Sequence, residues 1–221
     1  CTVVLPCSVY AQRQYGFPSQ VLYPEIKITK QSKVASRKNT ENYDLLMLGE
    51  FSEEKGQLTA IGALPIVLKN VPTAKLKLVG WGNPEFLQRM SREISRLNME
   101  DYVSIYPRTE AVEESLRTAR LLLMMSRNEA FGKVTIEAIA SGTPVVGISG
   151  CGTDEILAAG GGILSDSDPE SVASAILKAL EDNTYEKLVS ECASHRMLSS
   201  NFKNRRDIRD YIDQAVTSFS K

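Results

Sequence analysis

Glu129 and Glu137 stand eight residues apart in NEAFGKVTIEAIASGTPVVG, residues 128–147. The first precedes a turn that contains Gly132. The second falls inside the helix which that turn opens, and Ser141-Gly142-Thr143-Pro144 ends the helix before an apolar strand. A strand, a glycine-containing turn and a helix together present free backbone N–H groups and the positive end of a helix dipole, which suits an anion such as a diphosphate. Carboxylates on either side of that anion accept hydrogen bonds from hydroxyls. A diphosphate between two polyols is the chemistry of a nucleotide sugar.

Each of these residues also has a plain structural explanation. Glu129 at a helix start is favoured by the dipole alone, and Glu137 can be a solvated face residue. Glu137, however, lies in VTIEAIA, an otherwise apolar helix, where a carboxylate needs a partner or a ligand. Lys55 follows Glu53 and Glu54, and a surface ion pair with them would contribute little. Trp81 reads as a half-buried loop aromatic rather than a base-stacking platform, and His195 as a surface or core histidine. A glycosidase would also use paired carboxyl groups, at about 5–9.5 Å. Here the pair brackets a phosphate-type helix start, and the aromatic clusters of a polysaccharide groove are missing.

The elements that must hold these residues are legible from Asp44 onward. Short apolar runs at residues 44–49, 76–80, 102–106, 121–125, 144–148 and, weakly, 161–164 alternate with amphipathic segments. Continuous apolar runs of about five residues predict strands buried on both faces of a parallel sheet. Three helical stripes lie between or after them: Leu58, Ile61, Leu64 and Leu68; Phe86, Met90, Ile94 and Leu97; Ala173, Ile176, Leu177 and Leu180. The third opens on Asp168 as N-cap with Pro169 at the first helical position. Pro65 predicts a kink or an early end in the first. The fold class is therefore α/β: a doubly wound parallel sheet of about six strands flanked by helices, Rossmann-like. In such a sheet ligands sit beyond the carboxyl ends of the strands. Residues 49–56, 80–83, 126–137 and 147–155, each after a predicted strand and rich in Gly, Ser or charge, converge there.

The flanks differ. Residues 1–43 carry strand candidates TVVL and QVLYPEI around a polar segment, then the basic stretch KITKQSKVASRKNTENY, which reads as an interdomain linker or exposed loop. Residues 44–204 form the nucleotide-sugar-binding domain of this reading, and residues 205–221 a terminal helix with Ile208, Tyr211, Ile212 and Ala215 on one face. The chain has 221 residues, 43% hydrophobic and 24% charged, with formal net charge −1, so nothing global favours nucleic acid or an anionic membrane. No apolar run approaches the roughly 20 residues of a membrane span. Cys1, Cys7, Cys151 and Cys192 show no C-x-x-C pattern, and with one histidine no zinc site is expected. Four unpatterned thiols fit a reducing cytoplasm.

EAFGKVTIE, followed by ASGTPVVG and GTDEI, resembles the E-x7-E region of retaining glycosyltransferases of the GT-B fold, and most of all family 4. Gly49 to Gly56 (G-x5-KG) and the G-x-G of Gly80 to Gly82 support the likeness, which covers residues 44–182 well. The resemblance implies that Glu137 holds the ribose hydroxyls. It implies that Glu129, with the backbone near Phe131 and Gly132, contacts the donor sugar. The amides of Lys133 and Val134 would meet the diphosphate, with Lys55 adding positive charge there; Glu129 and Lys55 would be the catalytic groups, and the backbone at Arg108 would lie near the base, with Gly82 in the donor cleft. The implied reaction is metal-independent, without cofactor: a UDP- or GDP-sugar gives up its sugar, with retention, to an acceptor hydroxyl in glycan or glycolipid synthesis.

Two departures stand out. The family places an arginine after the first-loop glycine, where this chain has Glu50; either Arg127 or another cation substitutes, or the loop points elsewhere, or donor grip is weakened. Second, the resemblance implies that residues 1–43 are the remnant of a preceding N-terminal domain plus a linker, and that the acceptor glycan or lipid, and any membrane contact, would come through the missing part of that domain. A non-catalytic partner subunit and a nucleotide-sugar epimerase are the alternative readings.

Overall fold

Six strands account for the six apolar runs. In the computed structural model, which describes residues 9–15 and 43–198, β1 (Tyr43–Phe51), β2 (Ala74–Gly82), β3 (Val103–Pro107), β4 (Leu121–Met124), β5 (Val145–Ile148) and β6 (Gly162–Ser165) form one sheet. Its order is β3-β2-β1-β4-β5-β6, and every neighbouring pair is parallel. β4 and β5 are buried at all four positions each, as uninterrupted apolar spelling requires of strands covered on both faces. The expected strands before residue 9 and at residues 20–26, the linker expected over 27–43 except for Tyr43, which instead opens β1, and the helix over 205–221 lie outside the described residues.

Alternation along the strands sorts side chains into two layers. Leu45, Met47, Leu76, Leu78, Leu121, Leu123, Val146 and Ile148 meet α2 (Gln57–Leu68), α3 (Pro84–Arg96) and α7 (Pro169–Leu180) on one face. Leu46, Val79, Leu122, Met124 and Val145 meet α4 (Val112–Thr118), α5 (Lys133–Ala140) and α6 (Gly152–Leu157) on the other. The expected stripes face the first layer: Ile61 and Leu64, Phe86, Met90 and Ile94, Ala173, Ile176 and Leu180 are all buried. Each fully buried Leu, Ile or Met contributes about 1.5–3 kcal/mol before ordering costs. α8 (Asp182–Leu198) packs against both α7 and α5.

Start signals read from sequence hold. Asp168 accepts the Ser171 amide at 2.8 Å and Pro169 takes the first helical position. Asn83 does the same for α3, accepting from Phe86 N. Pro65 does not end α2 early, because the helix runs three residues further to Leu68. Proline there removes one i→i−4 bond in the last turn, and Ala63, Leu64 and Val67 stay buried around it. The polar segment expected between two N-terminal strands contains a helix, α1 (Val9–Tyr15), which lies against α6 with Ala11 buried.

The chain builds outward from β1 to β3, then returns to β4 beside β1. Crossovers on the two sides of β1 leave in opposite directions, so the loops after β1 and β4 flank a crevice at the carboxyl edge. They touch: the Arg127 amide donates to the Glu54 carbonyl at 3.2 Å.

Candidate functional site at the carboxyl edge

The loop after β4 turns into α5 through Gly132, whose backbone (φ 80°, ψ 50°) is left-handed. Only glycine adopts that conformation without strain, and this is what lets the chain double back into a helix immediately behind the sheet edge. Gly132 offers no capping side chain. Thr135 N and Ile136 N donate to its carbonyl, while the Lys133 and Val134 amides have no acceptor among the described residues. These are the unsatisfied donors of a helix start.

Glu129 spans the site. Its Oε1 accepts the Gly132 amide at 3.0 Å and its Oε2 accepts Lys55 Nζ at 3.0 Å. The side chains are 18% and 37% exposed, so the pair is partly desolvated and lies at the rim of the crevice. Lys55 therefore reaches across to the β4–α5 loop instead of pairing with its sequence neighbours; Glu53 pairs with Arg89 at 2.7 Å. Glu137 sits one turn into α5, 24% exposed, with Lys133 Nζ at 3.5 Å. The carboxylate that sequence pattern left needing a partner has one, i−4 on its own helix.

Lys55, Glu129, Gly132, Lys133, Val134 and Glu137 are thus gathered around one helix start, with Phe131 buried beneath it. Gly82 and Arg108 lie apart from them, at the ends of β2 and β3. A Cβ on Gly82 would meet Phe51 Cβ and O at 2.7 Å, and one on Gly80 would overlap the Gly49 carbonyl. Close approach of β1 and β2 accounts for both glycines. Trp81 is 51% exposed, more open than the half-buried aromatic expected, and the Arg108 guanidinium stacks 5.1 Å from its ring centroid.

Glu50 is exposed at the end of β1, and its side chain makes no hydrogen bond or ion pair among the described residues. Arg127 directs its guanidinium to the Ser167 carbonyl at 3.5 Å. Sequence reasoning missed Gln57. Buried at the first position of α2, it donates to the Glu50 carbonyl at 2.8 Å and accepts the Ser52 amide at 3.3 Å, bracing the loop that carries Lys55. An amide directly behind Gly56 at a helix start was the available signal. It also missed Asp154, whose two carboxylate oxygens hold the Gly150 amide at 3.1 and 2.9 Å. Cys151 and Cys192, the two cysteines among the described residues, are buried and not joined in a disulfide. No group of three or more His, Cys, Asp or Glu side chains among the described residues could hold a metal ion, and no described helix is long and apolar enough to cross a membrane.

Fold and crevice together define a doubly wound, Rossmann-like α/β domain with an open helix start at its carboxyl edge. Residues 28–196 match the family model for Glycosyl transferases group 1, and the chain belongs to that family. It is 27% identical over 202 residues to the N-acetyl-alpha-D-glucosaminyl L-malate synthase of Bacillus anthracis, covering 90% of this chain and 52% of that protein. It is 26% identical over 160 residues to the poly(glycerol-phosphate) alpha-glucosyltransferase of Bacillus subtilis, covering 70% of this chain and 23% of that one. The chain thus spans about half the length, or less, of these relatives. Among solved structures, Anabaena HepE in complex with UDP-glucose superposes with a TM-score of 0.80 at 22% identity, over 98% of this chain and 64% of that one. WaaG, a glycosyltransferase of lipopolysaccharide biosynthesis, does so with 0.71 at 24%, over 84% and 55%. At these identities the superpositions establish the doubly wound fold.

Proposed function

We propose that this chain is the donor-binding half of a retaining, metal-independent glycosyltransferase, of the kind grouped in family 4, acting in glycan or glycolipid synthesis in the cytoplasm. The observation that carries the reading is the α5 start: Lys133 and Val134 amides without an acceptor among the described residues, the Lys55 ammonium tied to the same turn through Glu129, and Glu137 one turn on. The amides and ammonium suit a diphosphate, and the partly exposed Glu137 carboxylate suits the hydroxyls of a ribose. Anabaena HepE, of the same fold, was solved with UDP-glucose. By the family resemblance, the acceptor oxygen attacks the anomeric carbon on the face that the diphosphate leaves. The C–O bond to phosphate breaks, and the acceptor proton passes to the departing phosphate oxygen. Groups of this chain would act by stabilising the charge that develops on that diphosphate. The acceptor would be a glycan or lipid bound by sequence outside this chain.

Calorimetric titration with UDP and with GDP tests the reading. One of them binds, and Glu137→Gln weakens it about tenfold by removing a charged acceptor for the ribose hydroxyls. Lack of binding by either at millimolar concentration, or an unchanged affinity in Glu137→Gln, refutes the site.

A second reading rests on Glu50, whose carboxylate, without a partner among the described residues, stands at the end of β1 where the family resemblance expects an arginine. A subunit that keeps the fold without gripping a donor would have lost such a cation. Glu50→Arg separates the two: a weak nucleotide site that tightens supports the enzyme, and a chain that still binds neither nucleotide supports the partner.

A further inference from the structure

Glu129 joins three loops. Besides Lys55 Nζ on Oε2 and the Gly132 amide on Oε1, its main-chain carbonyl accepts the Gly152 amide at 2.7 Å. The loop is packed tightly there, since a Cβ on Gly152 would lie 2.5 Å from the Ala130 carbonyl oxygen. A carboxylate serving only a sugar would direct both oxygens into the crevice. Here each oxygen already takes one protein donor, and one of those donors is a cation brought from a loop 74 residues away. Lysine has a long flexible stem, and an anion arriving at a free Lys55 would have to order it. The contact to Glu129 orders it beforehand and uses one of the three ammonium protons, leaving two for a ligand.

We propose that Glu129 is a positioning residue for the anion-binding part of the site. Its carboxylate fixes the Lys55 ammonium and the Gly132 amide at the α5 start, so it governs the grip on a diphosphate even when no sugar is attached. This rests on the donor-site reading above and adds a role to the sugar contact which the resemblance assigns. The sign is informative. By Coulomb attraction alone, deleting a negative charge beside an anion site tightens anion binding; loss of a positioned lysine weakens it.

The experiment is a double-mutant cycle. The unsubstituted chain, Glu129→Gln, Lys55→Met and the double variant are titrated with UDP, GDP and inorganic pyrophosphate, with circular dichroism confirming the fold of each. Glutamine still accepts the Gly132 amide but no longer holds an ammonium. Glu129→Gln is expected to weaken the ligand that binds about three- to tenfold where Lys55 is present, and less than about twofold in the Lys55→Met background. Equal losses in both backgrounds, or an affinity unchanged or tighter in Glu129→Gln alone, overturn the positioning role while leaving the donor site intact. No binding of any of the three ligands by the unsubstituted chain overturns both readings. Should Glu129→Gln not fold, Glu129→Asp, which retracts the carboxylate by one methylene, carries the same expectation.

Discussion

Gly132→Ala probes the turn on which the α5 start depends. The left-handed backbone at φ 80° costs an alanine about 1–2 kcal/mol relative to glycine. The added methyl would also lie 3.2 Å from Ile156 Cδ1, 3.2 Å from Thr135 Oγ1 and 3.5 Å from Thr153 Oγ1. The two threonines are fully buried, so relief comes from shifts of a few tenths of an ångström in α5 and α6, at about 1 kcal/mol. The sum, about 2–3 kcal/mol, is within what a domain of about 5–15 kcal/mol survives. In urea at 25 °C, with a slope of roughly 2 kcal/mol per molar, the midpoint falls by about 1 M and the slope is unchanged. UDP or GDP affinity falls about tenfold as well, because the Lys133 and Val134 amides move with the turn. A midpoint within about 0.2 M of the parent would refute the strain argument. Full destabilisation with intact nucleotide affinity would instead detach the turn from the site.

Two further outcomes follow from buried and capping groups. Tyr185 is buried with a hydroxyl that has no hydrogen-bond partner among the described residues, while its ring lies beneath the Arg120 guanidinium, 3.4 Å from the centroid. Tyr185→Phe keeps that stack, so thermal unfolding should show it neutral or up to about 1 kcal/mol more stable; a loss beyond about 1 kcal/mol would mean the hydroxyl is bonded after all. Asp168 accepts the Ser171 amide, which holds its carboxyl below the usual aspartate value of 3.8. The folded state therefore binds fewer protons than the unfolded one as pH falls through the unfolded value. The contribution is complete above that value and disappears as pH drops through the folded one. Asp168→Asn keeps an acceptor without a proton to bind, so its acid-unfolding curve should be shallower below about pH 4, and parallel curves would contradict the linkage.

Strand identity was readable because the sheet is buried on both faces: runs such as LLLMM and PVVGI have no polar side to alternate with. α7 was readable because Asp168-Pro169 is a local start signal whose partner, Ser171, is three residues away. α1 was not, since VYAQRQY has little apolar periodicity and its helix rests against α6 through tertiary contact. The site divides the same way. Gly132 and the amides behind it were legible from neighbouring residues. The Lys55–Glu129 contact was not, because nothing within five residues of either points to the other, and Glu53 and Glu54 offered nearer partners. The close packing of Gly80 and Gly82 against the Gly49 carbonyl and Phe51 was not legible either, because it joins two strands distant in sequence.

α8 has a role out of proportion to its place at the end of the described chain. Its Tyr185 and Leu188 complete the layer under α2 and α7, while Cys192, less than two turns on, is sealed into the opposite layer beside Ile139 and Gly161. One helix thus latches both sides of the sheet. Peeling it away would uncover the two halves of the interior in a single event, so the domain should melt as one cooperative unit, and shortening the chain into this helix would loosen α5 from behind without touching any residue of the crevice.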